Sequence, residues 1–138
     1  MPKGFSLTEL LVALAIAALL ASISVVGLPS ISRPQRLCRE SRRLQLLFDR
    51  ARTRSLATAG VHTVRLTPQF AELKDPQGTL VERLPLPADI SLRTTANIEG
   101  ELSFYPSHTA TPATVTLSLG ALSATLVVSL RARTRVQC

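Results

Sequence analysis

The 138-residue chain has no tryptophan and one tyrosine, Tyr105, so it offers few aromatic faces on which bases, sugars or ring cofactors stack. It has two histidines, His62 in a strand-like stretch and His108 in a proline-bearing loop. No Ser/His/Asp set, Cys-x-x-Cys spacing or glycine-rich phosphate loop accompanies them. These gaps argue against hydrolytic, metal-centred and nucleotide-cradling chemistry. The expectation is a chain that is not an enzyme and that carries no metal and no cofactor.

Negative charge is scarce as well. Nine acids face sixteen bases, for a net charge of +7, and every base except Lys3 and Lys74 is arginine. Arginine presents a planar fork suited to bidentate contact with phosphate or carboxylate. The surplus is uneven. Residues 31–54 hold eight arginines against Glu40 and Asp49, residues 55–130 hold four bases against six acids, and the last eight residues add Arg131, Arg133 and Arg135. A solvated helix face and a soluble tail account for such a distribution; so does a site for a polyanion or for lipid headgroups.

One stretch has almost no charge of either sign. Residues 5–28, FSLTELLVALAIAALLASISVVGL, contain a single charged side chain, Glu9. As a helix the run reaches roughly 36 Å, enough for a bilayer core of about 30 Å. The order of parts differs from an ordinary secretory signal, in which small residues follow the apolar core. Here a short basic leader, MPKG, ends in Gly4, and the apolar run follows it. Cleavage after Gly4 keeps the run on the mature chain and creates an α-amine on Phe5. Glu9 then lies one helical turn from an amine. An ionised glutamate alone in hydrocarbon costs several kcal/mol, and pairing offsets much of it. In a bundle of staggered helices, the amine of one chain faces Glu9 of the next. The acid is therefore tolerable in an assembly and costly in a lone chain.

The stretch Gly4-Phe5-Ser6-Leu7-Thr8-Glu9-Leu10-Leu11-Val12 resembles the class III signal of type IV pilins and type II secretion pseudopilins. The resemblance implies a prepilin peptidase that cuts after Gly4 and N-methylates Phe5, with Glu9 as the assembly residue. Thr8 departs from it, standing where an apolar residue is usual. An ordinary single-pass anchor with a stray glutamate is the alternative.

Beyond the run, Gly27, Pro29 and Pro34 in VVGLPSISRPQ predict a kink or local unwinding. A second helical half follows. Leu37, Ser41, Leu44, Phe48, Ala51 and Ser55 recur at spacings of three and four as one modestly apolar stripe. Arg36, Arg39, Arg42, Arg43, Arg50 and Arg54 gather on the opposite side, and Gly60 serves as the stop. After Gly60 the period changes to that of strands. VHTVRLT, FAELK paired with TLVERL across the turn DPQG, ISLRT, ELSFY, TVTLSL and ATLVVSLRAR make about six short strands. PSHTATPA, with its two prolines, reads as a mobile exposed loop. The predicted fold is α+β: a long N-terminal helix, transmembrane and then amphipathic, packed by its distal half on an antiparallel β-sheet. The predicted division is a cleaved leader over 1–4, a transmembrane and assembly helix over 5–28, and one exported domain over 29–138.

This part resembles the GspH/FimT pseudopilins, in LQLLFDRARTRSLATAGVHTVRLTP and, more loosely, in ELSFYPSHTATPATVTLSL. Some FimT-type proteins end in a GRxR element that binds DNA. Here that stretch is Leu130-Arg131-Ala132-Arg133, with leucine in place of the glycine and Arg135 beyond. As a continuous strand over 129–136, the tail would place Arg131, Arg133 and Arg135 on one face about 7 Å apart, near the phosphate spacing of an extended nucleic-acid strand. The same arginines on an edge strand would serve simply to keep it soluble. The two cysteines, Cys38 and Cys138, either pair within the chain, pair between chains or remain separate thiols. A Cys38–Cys138 link would hold the tail against the arginine-rich helix and merge Arg36, Arg39 and Arg43 with Arg131, Arg133 and Arg135 into one DNA-binding patch.

The resulting expectation is a minor pilin in a type IV pilus-like fibre. Its partners are other pilin subunits, the prepilin peptidase, an inner-membrane assembly platform, the bacterial inner membrane itself and DNA captured for uptake. A minor pseudopilin at the tip of a type II secretion fibre, without DNA binding, is one alternative. A membrane-anchored exported binding domain that never polymerises is another.

Overall fold

A computed structural model of the chain describes residues 6–26, 28–97 and 99–138, with the side chains of 20–32 outside the description. Two helices open it, α1 over Leu7–Val26 and α2 over Leu28–Thr58. Among the described residues nine strands follow: β1 His62–Leu66, β2 Phe70–Lys74, β3 Leu80–Pro85, β4 Ser91–Thr94, β5 Glu101–Tyr105, β6 Thr109–Ala110, β7 Ala113–Leu119, β8 Leu122–Val128 and β9 Thr134–Gln137. The chain divides into two compact units between Arg33 and Pro34.

In the first unit α1 begins with the glutamate half of a capping box. Ser6 stands at the cap and Glu9 three residues on, and the Ser6 N–H donates to Glu9 Oε2 at 3.3 Å. Each described large apolar side chain of α1 is exposed, from Ile16 at 53 % to Leu7 at 77 %. Among the described residues no helix is long and apolar enough to cross a membrane; within α1 the described side chains end at residue 19.

The second unit, Pro34–Cys138, builds its own core. The stripe read from the sequence is the buried face of α2: Leu37, Ser41, Leu44, Phe48, Ala51 and Ser55 are all buried, joined by Leu47 and Glu40. Ser41 and Ser55 are satisfied within the helix, donating to Leu37 O at 2.9 Å and Arg52 O at 2.8 Å. Alternation sets the other walls. Val64 and Leu66 of β1, Leu102 and Phe104 of β5, Val115 and Leu117 of β7, and Leu126 and Val128 of β8 turn inward to the same cluster. Phe48 meets Phe104 with ring centroids 6.0 Å apart.

The strands form two antiparallel sheets rather than one. The order is β3-β2-β1-β5-β6 in the first and β4-β7-β8-β9 in the second. β2 is buried on both faces; its Glu72 is directly opposite Arg83 of β3 and accepts from Arg83 Nε at 2.8 Å, while Arg83 lies over the Phe70 ring.

Where the sequence predicts a kink or local unwinding, α1 ends at Val26, α2 runs from Leu28 to Thr58 with Pro34 inside it, and Gly27 lies outside the described residues. Two local expectations change. The left-handed residue that ends α2 is Ala59, at φ 51°, and not Gly60. Gly60 is needed for another reason, because a Cβ there would come within 2.4 Å of Pro76 Cγ. PSHTATPA is not a free loop. His108 turns the chain at φ 61°, and β6 pairs back on β5, with Ala110 opposite Phe104 and buried.

Candidate functional site

Two places carry the charge pattern that the sequence singled out. The first is the start of the chain. Gly4 and Phe5 lie outside the described residues, as does the leader before them. Glu9 is described, exposed and bonded to the Ser6 amide. Its carboxylate therefore has a local partner within one chain, which the sequence reading overlooked although the pattern Ser-x-x-Glu is the signal for it. The positive end of the helix dipole favours the same carboxylate.

The second is the arginine surface of the domain. α2 presents Arg36, Arg39, Arg42, Arg43, Arg50 and Arg54 as exposed side chains, as the helical period required. Their charges are not equally available. Arg36 forks onto Asp89 at 2.8 and 3.1 Å, Arg43 bonds Glu40 at 3.1 Å, and Arg50 pairs with Glu82. Arg39, Arg42, Arg131, Arg133 and Arg135 have no acid within ion-pair distance among the described residues. Of the helix candidates, then, Arg39 is left to meet an outside anion, while Arg36 and Arg43 are already matched. Arg42, which was not among the candidates, joins Arg39. On the same helix burial raises the Asp49 carboxyl above its ordinary pKa, with Arg52 opposing the shift.

The tail departs from a continuous strand. β8 stops at Val128, residues 129–133 make a turn, and β9 runs back antiparallel, with Val127 opposite Arg135 and Val128 opposite Thr134. Ser129 closes the turn, and Ala132 sits buried within it at φ 53°. Arg131, Arg133 and Arg135 therefore do not repeat along one strand. They nevertheless line one hollow of about 580 Å³ together with Val127 and Leu130.

Cys38 and Cys138 are joined, with Cα atoms 5.6 Å apart. Gln45 Nε2 donates to Thr134 O at 3.3 Å. These two ties lay β9 antiparallel beside α2, Thr134 near Gln45 and Cys138 near Cys38. Between helix and strand runs a groove of about 710 Å³ lined by Arg42, Leu46, Arg135 and the disulfide. Arg135 faces both hollows. The disulfide thus joins the two basic regions, through Arg42 and Arg135 rather than through Arg36 and Arg43.

An apolar helix with one capped acid at its start, and an amphipathic helix on antiparallel sheets, are the parts of a pilin fold. The comparisons agree. Residues 2–25 match the prokaryotic N-terminal methylation motif. Two crystal structures of the type IV minor pilin FimU from Pseudomonas aeruginosa resemble the chain. In one crystal form the TM-score is 0.65 at 12 % identity, covering 78 % of this chain and 92 % of that one. In the other it is 0.60 at 12 % identity, covering 74 % and 93 %. At that identity the likeness is one of fold. No curated protein matches by sequence. The chain thus shares the methylation motif over residues 2–25 and the fold of a minor pilin.

Proposed function

We propose that the chain is a minor subunit of a type IV pilus-like fibre, with a structural and DNA-capturing role and no catalytic one. The precursor is cleaved after Gly4 by a prepilin peptidase and methylated on Phe5. It waits in the inner membrane through residues 5–28, with the domain on the exported side, and enters the fibre from an assembly platform by packing its rod against those of neighbouring subunits. The observation that carries this reading is the contrast within one chain between an apolar rod left uncovered and a domain that buries its own core. Mass spectrometry of the amino terminus tests it. A mature chain beginning at methylated Phe5 is expected, and an intact Met1 in cells with active peptidase overturns it.

Within the fibre, the arginines without acid partners give the domain a surface for DNA uptake. Three to five phosphate contacts give weak, sequence-blind binding that weakens steeply with salt. This surface favours a pilus over the tip of a secretion fibre, whose subunits meet proteins only. A gel shift of the purified chain against random-sequence DNA tests the point. Replacing Arg131, Arg133 and Arg135 by alanine is expected to weaken the complex and flatten its salt dependence, and an unchanged complex clears the tail of the role.

A further inference from the structure

The turn that carries Arg131 and Arg133 is held more firmly than a solvent loop requires. Ser129 ties it three times. Its N–H donates to Arg133 O at 3.0 Å, its carbonyl accepts from Ala132 N–H at 2.9 Å, and its hydroxyl accepts from Arg133 N–H at 3.2 Å. The Leu130 carbonyl accepts from Ala110 N–H of β6 at 2.9 Å. Ala132 is buried between the two arginines in a left-handed conformation that non-glycine residues avoid. Backbone held in such a state against its preference is a mark of functional sites. Here it presents two exposed guanidiniums from either side of a buried pivot, with their backbone already ordered.

Beside Ser129 and Gln137, two apolar side chains share the hollow with the arginines. Leu130 is 62 % exposed and Val127 39 % exposed, and both line the hollow with Arg131, Arg133 and Arg135. A duplex meets a protein chiefly through phosphates, with its base faces stacked inside. Against a duplex the three arginines are used and the two apolar side chains gain little. A single strand offers phosphates and uncovered base faces together.

We propose that this hollow is a site for single-stranded polynucleotide, in which Leu130 and Val127 take the face of an unstacked base while Arg131, Arg133 and Arg135 hold the flanking phosphates. The proposal rests on the DNA-capture reading above and narrows its substrate. Ser129 and Ala132 act as positioning residues by fixing the turn. No aromatic ring stands in the hollow, so the base contact adds selectivity more than strength.

Fluorescence anisotropy of the full chain in detergent micelles tests it, with labelled oligo(dT) and with the same strand annealed to oligo(dA). The single strand is expected to bind about fivefold more tightly at equal salt. Leu130→Ser, at an exposed position that leaves the core intact, is expected to remove that preference and leave duplex binding unchanged. The triple arginine-to-alanine variant is expected to weaken both and to flatten the salt dependence. Equal affinity for the two forms, or a preference that survives Leu130→Ser, overturns the single-strand site while DNA capture stands. So does a Leu130→Ser variant that loses duplex binding, as a leucine wedged between base pairs would produce. If neither form binds, both the site and DNA capture fall.

Discussion

The rod and the domain solve the same problem in opposite ways. In the domain, Leu44, Leu73, Leu102, Leu117 and Leu126 are at 0 % exposure, because one helix stripe and two alternating sheets close over them. In α1, Leu7, Leu10, Leu11, Val12, Leu14, Ile16 and Leu19 are all more than half exposed. Patterning decides the outcome. A stripe on one face lets a helix bury itself against its own chain, whereas leucine, valine and isoleucine all round leave no polar face to turn outward. Exposed apolar surface on that scale marks a contact with lipid or with other proteins. The domain closes over its own core, and the described part of the rod stays exposed.

That contrast breaks most visibly in the core. Phe48→Ala, which deletes a fully buried ring in contact range of Phe104, is expected to destabilise the domain by about 3–5 kcal/mol in thermal or denaturant unfolding. Leu14→Ala in the rod is expected to leave the domain's transition within about 0.5 kcal/mol. A similar loss from both would mean that the rod belongs to the domain's core and that the comparison is mistaken.

The disulfide ranks next. Replacing Cys38 and Cys138 by serine opens a bridge across 100 residues and is expected to cost about 2–4 kcal/mol, read from the same transition. Because the bridge also holds β9 beside α2, the double variant is expected to weaken DNA binding through Arg135 and Arg42. Unchanged affinity would show that the two basic regions act separately.

The smallest effect is at Asp49. Its carboxyl holds a proton more tightly in the fold than the ordinary value of 3.8, because burial outweighs the attraction of Arg52. Between 3.8 and its raised pKa the folded state carries more protons than the unfolded one, so this group makes stability fall as pH rises through that window. Asp49→Asn is expected to flatten that part of the stability–pH curve and to change stability at neutral pH by less than about 0.5 kcal/mol. An unaltered curve would place the carboxyl in ordinary solvent.

Much of the domain was legible because its signals are local and periodic. The α2 stripe needs only spacings of three and four, and FAELK–DPQG–TLVERL carries its own turn chemistry. The tail was misread for a physical reason. SLRARTR alternates like a strand and has no glycine, proline or asparagine to mark a turn; its reversal depends on Ser129 bonding across it and on Ala110, twenty residues earlier, bonding Leu130. The same limit hid β6, which is held by β5, and the division of the arginines into matched and unmatched ones, which depends on Asp89 arriving from a distant turn and Glu82 from a distant strand. The Ser6–Glu9 cap, by contrast, was present in plain sequence and was passed over in favour of the longer-range partner.

That cap sharpens the test of the rod. Glutamine keeps the capping hydrogen bond and removes the charge, whereas alanine removes both. Quantifying Glu9→Gln and Glu9→Ala subunits in sheared filaments, against the parent expressed at the same level, separates a helix cap from a charge neutralised by a neighbour's amine. Both variants are predicted to be depleted from the fibre; a Glu9→Gln chain found there in parental amounts would contradict the charge-pairing role and leave Glu9 as a cap alone.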